Sequence, residues 1–129
     1  MLERPHIEFV QAQMLPWRRI APGRGRPDAE YKFLSRDPTD GACSCLILYH
    51  PGWRREADES LSAAEEFYVL KDGFELDGRW YGPDHYAFVP AGWPRRHMHS
   101  PHGAVVLSFF DRQPDPVPGA PEPDAALRA

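Results

Sequence analysis

The chain has 129 residues, 42% hydrophobic and 26% charged, a composition that fits one globular domain and argues against wholesale disorder. A net charge of -4 offers no bulk attraction for a phosphate backbone, so nucleic acid is not an expected partner. No run approaches the roughly 18 apolar residues of a membrane span, and Glu3, Arg4, His6 and Glu8 interrupt the stretch where a signal peptide would be apolar, so a cytoplasmic domain without membrane contact is expected.

In chain order, residues 1–33 read as an amino-terminal arm with an edge strand, for which 7–10 (IEFV) is the candidate. Within the arm, Met14-Leu15-Pro16-Trp17 is aromatic and apolar, and residues 22–27 (PGRGRP) predict a mobile loop with solvated arginines. The 15 prolines and 10 glycines then divide the chain into short pieces, which excludes long helices. Strands are predicted over residues 42–49 (ACSCLILY), 67–70, 74–76, 79–81, 86–89 and 104–110 (AVVLSFF). Turn signals at Lys71-Asp72-Gly73, Asp77-Gly78 and Gly82-Pro83-Asp84 separate four of them. Turns this closely spaced indicate an antiparallel sandwich or barrel, an all-β fold. Residues 57–66 (ADESLSAAEE) have helical propensity but a single large apolar residue, Leu61, and read mostly as a loop entering a strand. Cys43 and Cys45 share a strand face and read as buried structural thiols, since no second Cys or His pair supplies zinc-finger spacing. From Arg112 onward recurrent proline predicts an extended tail, residues 112–129.

Residues 34–111 resemble the cupin superfamily, particularly small single-domain members similar to anti-sigma-factor cupin domains and acetylacetone-cleaving dioxygenases. The resemblance rests on Glu65-Glu66-Phe67-Tyr68-Val69-Leu70-Lys71-Asp72-Gly73 and on Tyr81-Gly82-Pro83-Asp84-His85-Tyr86-Ala87-Phe88-Val89-Pro90-Ala91-Gly92. The first cupin motif separates a glutamate from a glycine by six residues, as Glu66 and Gly73 are; the second contains the Pro-x-Gly of Pro90 and Gly92. The resemblance implies a single cupin jelly-roll barrel. It also implies a metal held by a His-x-His pair, the first-motif glutamate and a second-motif histidine. On this chain those positions fall on Ser60, Ser62, Glu66 and Arg95, so one ligand survives. Serine hydroxyls are weak neutral ligands and a guanidinium repels a cation, so no cofactor at the usual centre is expected.

Two uses of such an interior follow. Arg95, with Ser60 and Ser62, could fork a carboxylate or enolate, while His97, His99, Glu66 or Tyr68 moves protons. That describes a metal-independent isomerase, cyclase, dehydratase or decarboxylase acting on a small anionic or carbonyl-containing molecule. Alternatively, strand alternation would put Arg95, His97 and His99 on one face, and Glu66, His97 and His99 would hold a divalent iron, manganese, nickel or zinc ion for a dioxygenase or lyase. A third reading is a non-catalytic sensor or interaction domain whose former site is structural, with Arg95 paired to Glu66. Catalysis requires an open, partly polar cavity; the sensor reading predicts a filled one. Cys45, Tyr49, Phe88, Trp93 and Phe109 are candidate liners, with Phe88 and Trp93 the candidate substrate contacts. The resemblance further implies a homodimer built by edge strands.

Overall fold

The computed structural model describes residues 4–7, 9–20, 28–56 and 58–115. The arginine-containing loop at 22–27 and the tail from 116 onward lie outside them. A 3-10 turn at Ala12–Met14 precedes ten strands: β1 (Arg18–Ile20), β2 (Ala29–Arg36), β3 (Cys43–Tyr49), β4 (Trp53–Arg55), β5 (Glu65–Asp72), β6 (Phe74–Leu76), β7 (Arg79–Tyr81), β8 (Tyr86–Val89), β9 (Met98–Ser100) and β10 (Ala104–Phe110). No helix among the described residues is long and apolar enough to cross a membrane.

The strands form two antiparallel sheets, a six-stranded one in the order β1-β2-β3-β10-β5-β8 and a four-stranded one in the order β4-β9-β6-β7. Their inner faces pack into a jelly roll whose core holds Ile47, Phe67, Val69, Phe74 and Val106. Aromatic contacts knit the layers: Phe67 lies 5.3 Å from Phe74 and 5.1 Å from Tyr81, centroid to centroid. The six predicted strands all form. Asp77 and Gly78 both have positive φ, 52° and 85°, as a tight turn between twisted strands demands, and they join β6 to β7. Residues 58–64 form no helix. Glu59 instead makes a single bridge to Arg95, and Leu61 is buried.

Four strands were not expected. β1, β4 and β9 are three residues each, too short for alternation to register, and β2 (AEYKFLSR) sets three charged residues, Glu30, Lys32 and Arg36, among its eight. Ile7, Phe9 and Val10, in the segment expected to form the edge strand, lie in no strand; that edge is β1.

β5 carries the irregularity that decides the site. Opposite β10 its register runs Phe109↔Glu66, Ser108↔Phe67 and Val106↔Val69, then jumps to Val105↔Lys71. Leu70 is therefore the extra residue of a β-bulge, and the alternation of faces resets there. Just beyond it, Gly73 runs so close to β7 that an added Cβ would collide with the Tyr81 carbonyl oxygen and stand 2.7 Å from Trp80 Cζ2. Gly73→Ala is expected to cost at least about 1–3 kcal/mol, read from urea unfolding; a neutral outcome would show that β7 is free to move.

Candidate functional site

The interior of the barrel is polar at its centre. Arg95 and Glu65 are both buried, and Arg95 Nη1 donates to Glu65 Oε1 at 2.7 Å. The second oxygen of Glu65 accepts Ser108 Oγ at 2.7 Å, from the neighbouring strand β10. Beside this pair a second one forms: Arg55, only 2% exposed, lies with Nε 3.6 Å from Glu59 Oε1. Arg55 Nη1 also donates to the Arg95 carbonyl at 3.4 Å. Backbone bonds of 2.7 Å in both directions between Glu59 and Arg95 fix the two pairs to each other. Tyr49, Phe67, Phe74, Leu76, Met98 and Val106 wall the quartet. The space left among these side chains is about 10 Å³, the scale of a single water.

The local reasons are legible. The Leu70 bulge shifts the parity of everything before it, so Glu65, Phe67 and Val69 point inward while Glu66, Tyr68 and Leu70 point outward. Trp53 and Arg55 share the inner face of β4. Arg95 enters from the bridge to Glu59, and Met98 and Ser100 are the next inward residues. Between them, Asp77 Oδ1 accepts the backbone N–H groups of Arg96 and His97, at 2.8 and 3.0 Å. That turn inserts an odd residue, so the face of Arg95 continues at Met98 rather than at His97.

These placements revise the sequence-based site. Glu66 is exposed and accepts the Tyr86 hydroxyl at 2.8 Å, so the partner of Arg95 is Glu65. His97 is exposed, and His99 is half-buried on the outer face, with Arg54 Nη2 3.3 Å from its Nδ1. Neither ring is brought to the interior, and neither joins Glu66. Tyr68 faces outward and donates to Asp84 Oδ1 at 2.7 Å. These hydrogen bonds to Asp84 and Glu66 push the Tyr68 and Tyr86 hydroxyls above their usual pKa. Ser62 lies outside the barrel, donating to the Gln113 carbonyl at 2.7 Å, whereas Ser60 is buried. Phe88 and Trp93 are exposed and Phe109 half-exposed; only Cys45 and Tyr49 of the proposed liners are inside. Cys43 and Cys45 are free, buried thiols. Their mutual hydrogen bond lowers the pKa of Cys43, helped by Arg36 and Arg4, and raises that of Cys45, which burial raises further.

The donor set does not fit the metal implied by the resemblance. The interior carboxylates are Glu59 and Glu65, each already facing a guanidinium, and a cation at this centre would meet two positive charges. Among the described residues no group of three or more His, Cys, Asp or Glu side chains could hold a metal ion. Arg55 and Glu65 are the interior charged residues the sequence reading did not select. The signal for Arg55 was its shared parity with Trp53.

The chain has the cupin fold. It is similar to a candidate dioxygenase from Nostoc punctiforme (20% identity, TM-score 0.72, covering 79% of this chain and 35% of that one). An acetylacetone dioxygenase from Acinetobacter johnsonii matches with 12% identity and a TM-score of 0.67, over 83% of this chain and 69% of that one. An RmlC-like cupin from Shewanella frigidimarina matches with 15% identity and a TM-score of 0.63, over 83% and 92%. The chain thus spans about a third of the length of the Nostoc protein. No family model and no curated protein matches the sequence.

Arg95→Ala leaves Glu65 buried with an uncompensated charge and is expected to cost about 3–5 kcal/mol. The double variant Arg95→Met/Glu65→Leu is expected to recover most of that loss, because well-packed apolar groups replace a buried pair at little cost. Equilibrium denaturation of the parent, Arg95→Ala, the two single variants Arg95→Met and Glu65→Leu, and the double variant checks this; additive losses for the two singles would dissolve the pair as an energetic unit. His97→Ala and His99→Ala are expected to stay within about 0.5 kcal/mol of the parent, as surface positions do.

Proposed function

We propose that this chain is a non-catalytic cupin domain, a sensor or interaction module whose former reaction centre has become a structural ion-pair core. One observation carries the reading: Arg95 occupies the second-motif ligand position and is held at 2.7 Å by Glu65, whose other oxygen is taken by Ser108. The free space beside it, about 10 Å³, supports the filled-cavity reading over an open catalytic one. On this reading the dioxygenase chemistry named for two of the similar structures does not carry over, because the guanidinium and the outward-facing histidines remove the donors such chemistry needs.

Metal analysis of protein purified without a histidine tag tests the reading. The expected result is no stoichiometric iron, manganese, nickel or zinc, and a melting temperature unmoved by adding any of them, since a ligand that does not bind the native state does not stabilise it. Stoichiometric metal that survives in His97→Ala/His99→Ala would place it on residues outside this argument and overturn it.

A second reading is favoured by one further observation: Arg95 Nε is buried without a hydrogen-bond partner. That open donor suits a small carboxylate or enolate admitted when the Glu59–Arg95 bridge opens, with Glu65 as the proton-transfer group of a metal-independent isomerase, cyclase, dehydratase or decarboxylase. Acetate, oxalate and malonate at millimolar concentration distinguish the two. The structural-core reading predicts no change in melting temperature; an increase in the parent that is lost in Arg95→Met would establish the anion pocket instead.

A further inference from the structure

Two nucleophilic side chains in the core take no part in the ion pairs. Cys43 and Cys45 lie two residues apart on β3, where burial alternates strictly, and both point inward, 2% and 0% exposed. Both are free. Residues i and i+2 of a strand stand about 6.6 Å apart at Cα with parallel Cβ vectors, so a sulfur–sulfur bond between them is strained. The two thiols hydrogen-bond to each other instead. On the flanking strands Phe110 and Arg36 are the register partners of Cys43, and Ser108 and Phe33 those of Cys45. Ser108 is committed to Glu65 at 2.7 Å. Two guanidinium groups come near the pair. Arg36, exposed, donates to Gln113 Oε1 at 2.7 Å, and Arg4 donates at 3.2 Å to the hydroxyl of Ser44, the residue between the two cysteines. Both favour negative charge on Cys43.

We propose that Cys43 and Cys45 form a two-coordinate site for a soft monovalent metal ion, with cuprous copper as the ion that fits. Metal–thiolate bonds run near 2.3 Å, so a linear sulfur–metal–sulfur bridge spans roughly 4.6 Å. That span is far wider than a disulfide and close to the separation of hydrogen-bonded sulfurs, so β3 can hold the ion without the strain that bars the bond. Thiolate is the soft ligand that selects cuprous copper. Zinc and ferrous iron require three or four protein donors, and among the described residues no third His, Cys, Asp or Glu joins the pair. The charge balance also fits. Two thiolates and one monovalent cation leave one net negative charge, which Arg36 and Arg4 offset. A divalent ion at the barrel centre meets two guanidinium groups, whereas here the complex is itself the anion. Glu65 opposes that charge, but its own is held by Arg95 at 2.7 Å. Loading releases the thiol protons to solvent and changes no oxidation state. Cys43, the first residue of β3, lies just after the turn at 38–40 and meets an incoming ion first, with Cys45 one pleat deeper. The site stands apart from the ion-pair centre and holds whether that centre is structural or catalytic.

Anaerobic titration of the reduced full chain with cuprous copper, in competition with the chromogenic chelator bicinchoninate, tests the proposal. The parent is expected to withdraw one copper per chain from the chelator. Cys43→Ser and Cys45→Ser are each expected to weaken binding by at least about 100-fold, the upper range for losing even an outer partner of a metal ligand. His97→Ala/His99→Ala is expected to bind as the parent does. Melting curves show which variants are folded. Should neither serine variant fold, X-ray absorption at the copper edge of the loaded parent decides, with two sulfur neighbours and no nitrogen or oxygen expected. A parent that takes no copper from the chelator overturns the proposal. So does copper retained at full affinity by a folded serine variant, copper lost with the two histidines, or nitrogen bound to the metal.

Discussion

The ion pair between Arg95 and Glu65 is the constraint around which the rest of the barrel is arranged. Taking two charges out of water costs several kcal/mol per ion, and the mutual attraction offsets that cost only when geometry and further hydrogen bonds are good. Here both oxygens of Glu65 are occupied, by Arg95 and by Ser108, which sits on the inward row of β10 for that purpose. Such a pair is a weak source of net stability but a strong barrier to change. Removing either partner alone strands a charge in the core, so the two positions must change together or not at all. The second pair, Arg55 with Glu59, is tied to the first through the backbone of Arg95 and extends the same constraint to the entry of β5 and to β4.

The fold was largely readable because its punctuation is chemical. Gly, Pro and Asp mark turns for reasons that do not depend on the rest of the chain, and at Asp77-Gly78 the positive φ angles show the mechanism at work. The four strands that escaped notice lack such a signal. β4 and β9 are short enough that only pairing with each other and with β6 defines them, and that pairing is a tertiary fact.

The site was half readable. The placement of Arg95 inside follows from the motif, and the structure puts it there. Its partner does not follow from the motif, because counting back from Gly73 crosses a bulge at Leu70 that the sequence does not announce. In Glu65-Glu66-Phe67-Tyr68-Val69-Leu70 either parity gives one carboxylate and two apolar or aromatic residues, so alternation cannot choose between them. The histidines fail for a related reason. Period-two reasoning holds within a strand, and the turn held by Asp77 Oδ1 ends the alternation between Arg95 and Met98. In both places a single inserted residue exchanges inside for outside.

That exchange inverts the usual distribution of polarity. Four ionisable side chains occupy the centre of the barrel, while Tyr86, Phe88 and Phe109 stand on the outer face of its larger sheet. Apolar residues at alternating positions read as liners because burial is the ordinary fate of a phenylalanine on a strand. Among the described residues nothing covers the aromatics of β8, and Tyr86 and Phe88 stand 55% and 56% exposed. A barrel with a charge-locked centre has little freedom to acquire a new ligand there, since each interior change carries the cost of an unpaired ion. Its outer face is under no such restriction: substitutions of Phe9 or Phe88 leave the core pairs untouched. Interior and exterior are thus decoupled: substitutions on the outer sheet surface leave the charged centre, and the fold built around it, undisturbed.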